Sequence, residues 1–385
     1  MKTVLSWIAA VVAGVLATSG LAETYPSKPV RLIVPFAQRR RTGSRRGGWS
    51  WGGDGAQPPG LWHRVLRRFA IALVAVTSLA AGASFAQPYP SKPVRLIVPF
   101  APGGGTDIIA RLVAQQLGQS WGQTVVVDNR GGGGGTIGTK LATESTPDGY
   151  TMVLCSLGVS YAPALYPKLP FDPLKDLAPI SRVAQQPFVY VVVPALGANS
   201  MKDLIAMAKA KPGTIRYGSG GAGGSSHLGT ELLKVMAGID MQHIPYKGTG
   251  PALNAMLGGE IQVQLIGISS VVPHLKSGRM KALAVSGAKR SAAAPDVPTV
   301  AESGVPGYAF DVWYGMLFPA RVSRALVRKV SADINSALKS PALAQRFPAL
   351  GVEAAGTTPE EFARILRSEI AKWRKVVKEA NIRVG

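Results

Sequence analysis

Short β runs alternate with amphipathic helical stretches along most of this chain, and this alternation constrains the fold more than any other feature. Residues 94–98 form the first β run, and the helical stretch after it repeats its apolar residues on one face. Thr106 or Asp107 is predicted to cap that helix, and Gly118 to end it. Further β runs lie at residues 124–127, 150–154 and 188–193. This β-α-β order predicts an α/β fold with a mostly parallel sheet covered by helices on both faces.

A second series of the same kind follows the long β run at residues 188–193. Helices are predicted to begin at Ser200 and Ser226, and a charged amphipathic helix is predicted over residues 359–380. The β runs of this series lie at residues 215–217 and 242–245, around Val263, and at residues 282–285. Two such series predict two lobes with a ligand cleft between them, since ligands of open α/β sheets bind beyond the carboxyl ends of the strands. The predicted first lobe comprises residues 87–190 and 310–385, and the second comprises residues 191–309.

Glycine-rich loops join a β run to a helix start at two places, residues 99–107 and residues 217–227. Glycine lets the backbone approach a ligand closely, and the free N–H groups at a helix start bind anions. A single loop of this kind is equally typical of a tight βα turn, but one on each lobe favours an anion site. A third glycine-rich stretch, residues 129–138, is either an ordinary turn or part of the cleft rim.

Sequence signals for catalysis are weak. The pattern Gly218-x-Gly220-x-x-Gly223 matches a dinucleotide fingerprint, but the strand after it ends at residues 245–248 without the required acidic residue. No nucleophile elbow, P-loop, zinc-protease motif or C-x-x-C is present. The four histidines are scattered, and His227 at a helix start favours a capping or packing role. We therefore expect no enzyme activity, no metal and no cofactor.

The formal net charge of +22 does not indicate a nucleic-acid-binding protein. Residues 1–86 hold 11 Lys and Arg against two acidic residues, so they carry +9 of this charge. The rest is spread along the chain without the basic helix and interleaved aromatics of a nucleic-acid surface. The one cysteine, Cys155, excludes an intramolecular disulfide, and its apolar neighbours predict a buried, inert thiol. It lies too far along the chain to serve as a lipoprotein anchor.

The beginning of the chain contains a duplication. The thirteen residues from Tyr25 recur unchanged from Tyr89, but an Arg- and Gly-rich tract follows the first copy. We interpret residues 1–61 as the remnant of a duplicated gene start, disordered over the polar tract, because one strand followed by such a tract cannot bury an apolar face. Residues 62–86 have the basic, apolar and small-residue regions of a signal peptide. They predict export to the periplasm and a mature chain that begins near Gln87.

Several motifs in combination resemble the substrate-binding receptors of tripartite tricarboxylate transporters, the Bug (TctC-like) family. The resemblance covers residues 89–384, and its motifs lie at residues 102–107, 128–130, 147–150, 169–173, 217–228, 243–248 and 298–304. It implies a two-lobe periplasmic binding protein of the type II-like, Venus flytrap kind. It further implies that residues 103–107 hold a ligand carboxylate through backbone N–H groups and bridging waters, and that residues 219–226 close from the other lobe.

Ligand-binding residues are predicted in the two loops and at nearby strand ends. They are Ala101, Gly103, Gly104, Gly105, Thr106, Asp107, Ser156, Ser219, Gly220, Ala222, Gly223, Ser225, Ser226, Tyr246 and Gln262. Tyr161 and Trp313 are further candidates, with core packing favoured for Trp313. Asn254 and Gln262 stand where the family often has acidic residues, which favours plain carboxylates over amine-bearing ligands.

The function that the resemblance implies is capture of a small carboxylate and its delivery to the membrane subunits of a transporter. The alternative is presentation of the ligand to a periplasmic sensor kinase.

Overall fold

The structure, a computed structural model, describes residues 89–382. The predictions for residues 1–86, a duplicated remnant and a signal peptide, lie outside the described residues. The strands are β1 (Val94–Val98), β2 (Val125–Asn129), β3 (Thr151–Ser156), β4 (Leu177–Val192), β5 (Arg216–Ser219), β6 (Gln242–Pro245), β7 (Val263–Gly267), β8 (Lys281–Val285), β9 (Asp311–Pro319) and β10 (Glu353–Ala354). The α-helices are α1 (Gly105–Trp121), α2 (Thr136–Thr143), α3 (Gly158–Leu165), α4 (Met201–Ala210), α5 (Ser225–Ala237), α6 (Thr249–Leu257), α7 (Val272–Lys276), α8 (Arg324–Leu338), α9 (Pro341–Ala349) and α10 (Pro359–Glu379).

Two strand groups are joined through β4. One group has the order β2-β1-β3-β9-β4, and the other continues β4-β7-β5-β6, with β8 and β10 also paired to β4. Pairing is parallel for β1 with β2 and β3, and for β5 with β6 and β7. All pairs that involve β4 or β9 are antiparallel, so the prediction of a mostly parallel sheet is wrong for the whole sheet and holds only for the β2-β1-β3 and β7-β5-β6 parts. The sheet is mixed because long strands carry the chain between the two groups.

The crossings between the two groups are short. Residues 177–187 of β4 pair with β9, while residues 188–192 pair with β7 and β8. The chain therefore enters the second group between Pro187 and Phe188, and it returns to the first group at Asp311, where β9 begins. The predicted lobe limits fall close to these crossings, and as limits of independent lobes they remain a prediction.

Apolar periodicity explains how the helices pack. In α10 the residues Phe362, Leu366, Ile370, Trp373 and Val377 recur every three or four positions, and all five are buried. Their spacing places them on one helix face, and each buried side chain of this size contributes about 1.5–3 kcal/mol. The helix begins with a capping box in which the Thr358 hydroxyl accepts from the backbone N–H of Glu361. Sequence pattern and packing therefore agree for the predicted terminal helix.

Helix ends differ from the prediction in α1. Its N-cap residue is Gly104, with no side-chain cap, instead of Thr106 or Asp107. It continues through Gly118 and ends before Gly122, whose φ of 64° lies in the left-handed region that glycine favours. In α4, by contrast, the helix starts at the predicted place, where Ser200 is the N-cap and its side chain accepts from the backbone N–H of Asp203 at 3.1 Å. A glycine ends a helix where its backbone turns left-handed, and in α1 this happens at Gly122 and not at Gly118.

The prediction for Cys155 can be compared directly with the structure. Cys155 is buried, and burial raises the pKa of its thiol to about 12, which keeps it protonated and inert. Within residues 89–382, no helix is both long and apolar enough to cross a membrane.

Candidate functional site

Two helices of the two strand groups begin at the same cavity. The first glycine loop, residues 101–107, leads from β1 into α1, and the second, residues 218–226, leads from β5 into α5. Both helices have a glycine N-cap and no side-chain cap. The first N–H groups of a helix have no partner within the helix and carry its positive dipole end. Both starts therefore offer backbone donors to an anion at one place.

The cavity has about 20 Å³ of free volume, which is room for about one water molecule. It is lined by Phe100, Gly105, Thr106, Ser156, Phe188, Gly220, Gly224, Ser225, Ser226, Thr249 and Tyr314. These residues come from both strand groups, and none of them carries a charged side chain. We call it the ligand cavity, and in this structure it is closed.

Backbone contacts close the rim of the ligand cavity. The backbone N–H of Ala101 donates to the carbonyl oxygen of Lys247 at 2.9 Å. The third glycine-rich stretch takes part as well, because a Cβ added to Gly134 would lie 2.4 Å from the carbonyl oxygen of Ala222. Of the two interpretations of that stretch, turn or rim, this contact favours the rim. Glycine is needed at position 134 so that two backbones can approach this closely.

Asp107 holds the first glycine loop in shape from inside. Its carboxylate accepts from the backbone N–H of Gly103 at 3.1 Å and from Asn129 at 3.0 Å, and it pairs with Arg111 at 3.0 Å. Burial alone would raise the pKa of this carboxyl, but hydrogen bonds from Arg111, Gly103 and Asn129 lower it below its ordinary value. The carboxylate is thus ionised and its oxygens are occupied, so it orders the loop without facing the cavity.

A stack of rings supports the second glycine loop. His227 lies on His243 with ring centroids 4.1 Å apart, and His243 lies on Tyr217 at 4.9 Å. The Nδ1 atom of His227 accepts from the backbone N–H of Gly223 at 3.1 Å, and the Nε2 atom of His243 is 2.6 Å from the hydroxyl of Ser219. These contacts tie both ends of the loop to one rigid cluster.

Burial keeps both histidines neutral. It lowers the pKa of His227 to about 4, with a smaller contribution from the nearby Lys234. It lowers the pKa of His243 to about 3, with His227 as the next cause. The side chain of Ser219 is fully buried in this structure, and its hydroxyl also accepts from the backbone N–H of Gly221 at 3.1 Å, so it helps to hold the shape of the loop.

Polar side chains at the back of the cavity form a short network. Gln186 donates to the hydroxyl of Tyr314 at 2.7 Å, and its Oε1 atom accepts from the backbone N–H of Ser269 at 3.4 Å. The hydroxyl of Ser269 is buried without a partner, and a Cβ added to Gly105 would lie 3.4 Å from it. A buried polar atom without a partner costs about 1–3 kcal/mol, so it is a ready contact for a bound group.

The predicted site residues fall into two sets. Those that line the ligand cavity are Gly105, Thr106, Ser156, Gly220, Ser225 and Ser226. Those that lie elsewhere in the loops or beneath them are Ala101, Gly103, Gly104, Asp107, Ser219, Ala222 and Gly223. Tyr246 contacts Glu260 at 3.4 Å, and Gln262 accepts from the backbone N–H of Arg216 at 2.8 Å. These last two are placed away from the cavity lining of the closed structure.

Five lining residues are not among the predicted site residues: Phe100, Phe188, Gly224, Thr249 and Tyr314. Phe100, Gly224 and Thr249 lie in or next to the quoted motifs, so their neighbourhood was a usable signal. Phe188 and Tyr314 lie on β4 and β9 and carry no local signal. Tyr161 is buried and donates to the hydroxyl of Ser225 at 2.9 Å, and Trp313 packs edge-on against Phe362, a core role.

No group of three or more His, Cys, Asp or Glu side chains that could hold a metal occurs among residues 89–382.

Comparison with known proteins identifies the architecture. Residues 109–382 match the family described as "Tripartite tricarboxylate transporter family receptor". BugT of Bordetella pertussis is 38% identical over 313 residues, which cover 81% of this chain and 96% of BugT.

Two solved structures from Rhodopseudomonas palustris have the same fold. A protein solved with adipate is 33% identical, with a TM-score of 0.74 over 77% of this chain and 99% of its own. MatC, solved with bound malate, is 30% identical, with a TM-score of 0.72 over 75% of this chain and 100% of its own. The predicted α/β fold of a periplasmic binding protein with a ligand cleft is thereby confirmed. With two thirds of the chain matched to the family and a relative aligned over nearly its full length, the protein belongs to the tripartite tricarboxylate transporter receptor family, whose members are solute-binding proteins and not enzymes.

Proposed function

We propose that this protein is exported to the periplasm, binds a small carboxylate in the ligand cavity and delivers it to the membrane subunits of a tripartite tricarboxylate transporter. One observation carries the proposal: two uncapped helix starts, from two strand groups, meet at one uncharged cavity. Helix starts stabilise anions through free N–H groups and the helix dipole. A carboxylate held by both would bridge the two halves of the molecule.

The ligand closes the molecule because it contacts both halves at once. In the open state each helix start faces water, and the ligand can enter from solvent. In the ligand-bound closed state, which leaves more room than the water-sized cavity of this structure, the ligand carboxylate accepts from the backbone near Gly105 and near Ser225. Since binding is then stronger in the closed state, the ligand shifts the population toward it. The closed shape is the signal that the membrane subunits would recognise.

Uncharged walls favour plain carboxylates. The lining contains no acidic side chain that could pair with a ligand amine. At the far end, the hydroxyls of Ser269 and Tyr314 and the amide of Gln186 can bind a second polar group. The adipate and malate of the two related structures support a dicarboxylate for this chain.

Export rests on residues 62–86, whose basic, apolar and small-residue regions have the order of a signal peptide. The predicted cleavage near Gln87 leaves every residue of the ligand cavity in the mature chain. A purified periplasmic protein that begins near residue 87 would support this assignment. A protein retained in the cytoplasm with residues 62–86 intact would contradict it.

A thermal-shift screen of the full chain tests the ligand class. We expect a dicarboxylate to raise the midpoint of unfolding, because a ligand at 100 times its Kd adds about 2.7 kcal/mol to stability. The matching diamide and diamine are the controls, and they should have no effect. A shift with the diamide but none with any carboxylate would contradict the proposal.

The recipient is tested separately in cells. Loss of carboxylate uptake after deletion of this protein supports delivery to a transporter. Unchanged uptake with lost ligand-dependent gene expression supports the alternative recipient, a sensor kinase.

A further inference from the structure

A second and larger cleft lies between the two halves of the molecule. One wall is formed by residues 288–292, which follow β8, and the other by α9 and β10. Its floor includes Gln185 and Asp311, which lie at the crossings between the strand groups. Its volume is about 720 Å³. We call it the rear cleft.

The rear cleft and the ligand cavity lie on opposite faces of the crossing strands. Gln186 of β4 also lines part of the rear cleft, but its side-chain amide donates to the hydroxyl of Tyr314 at the ligand cavity, whereas the side chain of its neighbour Gln185 donates to Glu353 in the rear cleft at 2.8 Å. Successive side chains of a strand point to opposite faces of the sheet. Asp311 and Tyr314 of β9 are three positions apart, and likewise Asp311 lines the rear cleft while Tyr314 lines the ligand cavity. The crossing strands therefore separate the two spaces.

The two crossings are linked to each other through one buried side chain. The hydroxyl of Ser286 accepts from the backbone N–H of Phe188 at 2.9 Å and donates to the carbonyl oxygen of Phe310 at 2.6 Å. Residues 187–188 and 310–311 therefore behave as one hinge axis. A rotation about an axis that lies between two clefts widens one cleft as it narrows the other. In this structure the ligand cavity is nearly closed and the rear cleft is wide.

We propose that the ease with which the rear cleft narrows sets the affinity of the ligand cavity for its ligand. This inference rests on the proposed ligand-driven closure. Ala292 on one wall and Ala344 on the other are small and exposed, so neither side chain prevents the rear cleft from narrowing. When the rear cleft narrows, the ligand cavity opens. Apparent Kd equals the intrinsic Kd divided by the fraction of molecules in the closed state. A bulky side chain at either position hinders opening, raises that fraction and tightens binding.

The test uses the full chain with Ala344→Trp, and with Ala342→Trp as a matched control. Both residues are exposed on α9, but Ala342 lies on the helix face away from the rear cleft. Adipate binding is measured by calorimetry. The distance between the halves is measured, without ligand, between spin labels on cysteines introduced at Ser120 and Lys209, which are exposed on α1 and α4.

We expect Ala344→Trp to lower the Kd for adipate roughly three- to tenfold and to shift the ligand-free label distances toward those of the adipate complex. Ala342→Trp should match the wild type in both measurements. Ala292→Trp, on the opposite wall, should reproduce the effect and replaces Ala344→Trp if that variant does not fold.

Wild-type label distances and unchanged or weaker binding in both rear-cleft variants would overturn the inference. If the wild type binds no carboxylate, the proposed function fails instead. The ligand-free label distances of the tryptophan variants then still decide whether the rear cleft controls closure.

Discussion

The hydroxyl of Ser286 accepts a hydrogen bond from the backbone N–H of Phe188 and donates one to the carbonyl oxygen of Phe310. The backbone of Ser286 repeats the connection, since its N–H donates to Phe188 at 2.7 Å and its carbonyl oxygen accepts from Phe310 at 2.7 Å. One fully buried serine thus joins the two places where the chain crosses between its halves. The two crossings therefore form one hydrogen-bonded unit rather than two independent linkers.

Ser286→Ala is expected to reduce the free energy of unfolding by about 1–3 kcal/mol, because it leaves a buried N–H and a buried carbonyl oxygen without this partner. Urea denaturation measures the loss. The control is Ser303→Ala, since the carbonyl oxygen of Thr299 that accepts from Ser303 also accepts from its backbone N–H. If the two variants lose the same free energy of unfolding, the hydrogen bonds of Ser286 between the crossings contribute no more to stability than an ordinary buried serine.

Gly104→Ala is expected to weaken carboxylate binding about tenfold, or about 1.4 kcal/mol. Its Cβ would lie 2.4 Å from the hydroxyl oxygen of Thr249, which approaches from the other half of the molecule. Removing that oxygen with Thr249→Ala should restore much of the affinity in the double variant, as calorimetry can measure. Gly258→Ala is the control, because its Cβ would have no contact closer than 3.5 Å. If the effects of Gly104→Ala and Thr249→Ala on the binding free energy simply add in the double variant, the contact between the two positions is not the cause of the weaker binding.

Asp107→Asn should destabilise the first glycine loop by about 1–3 kcal/mol and weaken binding in parallel, because a neutral amide loses bonds that the carboxylate accepts from charged and buried donors. Arg111→Gln should have a smaller effect, since the Arg111 side chain is 54% exposed while that of Asp107 is 5% exposed. Thermal unfolding and calorimetry of both variants give the comparison. If Asp107→Asn leaves stability intact but abolishes binding, Asp107 contacts the ligand directly.

Stability should fall as the pH drops below about 6.5, because the unfolded chain then binds a proton at His227 that the folded chain rejects until about pH 4. The slope from this one group is about 1.4 kcal/mol per pH unit in that window. His243 acts in the same direction down to about pH 3. His227→Asn keeps an acceptor for the N–H of Gly223 without titrating, so its stability curve should be flatter. Chemical denaturation between pH 7 and pH 4 measures both curves, and identical slopes would exclude this role.

The sequence predicted the elements whose signals are local. The predictions of β6 at residues 242–245 and of a helix start at Ser200 agree with the structure, and β1 agrees residue for residue. The start of α1 was placed two or three residues late, because Thr106 and Asp107 are good capping residues whereas the bound of this helix is set by glycine backbone geometry. The residue types therefore predict the correct loop but not the residue at which the first turn of α1 begins.

The residues of the candidate site also differ in whether a local sequence signal predicts them. Gly105, Thr106, Ser225 and Ser226 follow from the motif of strand, glycine turn and helix, which is visible in any short window of sequence. Phe188 and Tyr314 are brought to the cavity by β4 and β9, and pairings such as Ala184 with Tyr314 join residues far apart in the chain. A single sequence contains no local trace of such a pairing, so these lining residues emerged only from the fold.

The rim of the ligand cavity has a consequence for redesign. Some of its closing contacts join main chain to main chain, as between Ala101 and Lys247 or between Gly134 and Ala222, and these contacts do not depend on which ligand lies inside. Selectivity then belongs to the side chains behind the rim, such as Phe188, Ser269 and Tyr314. An engineer who wishes to change the molecule that is held should vary those three positions and leave the glycines alone.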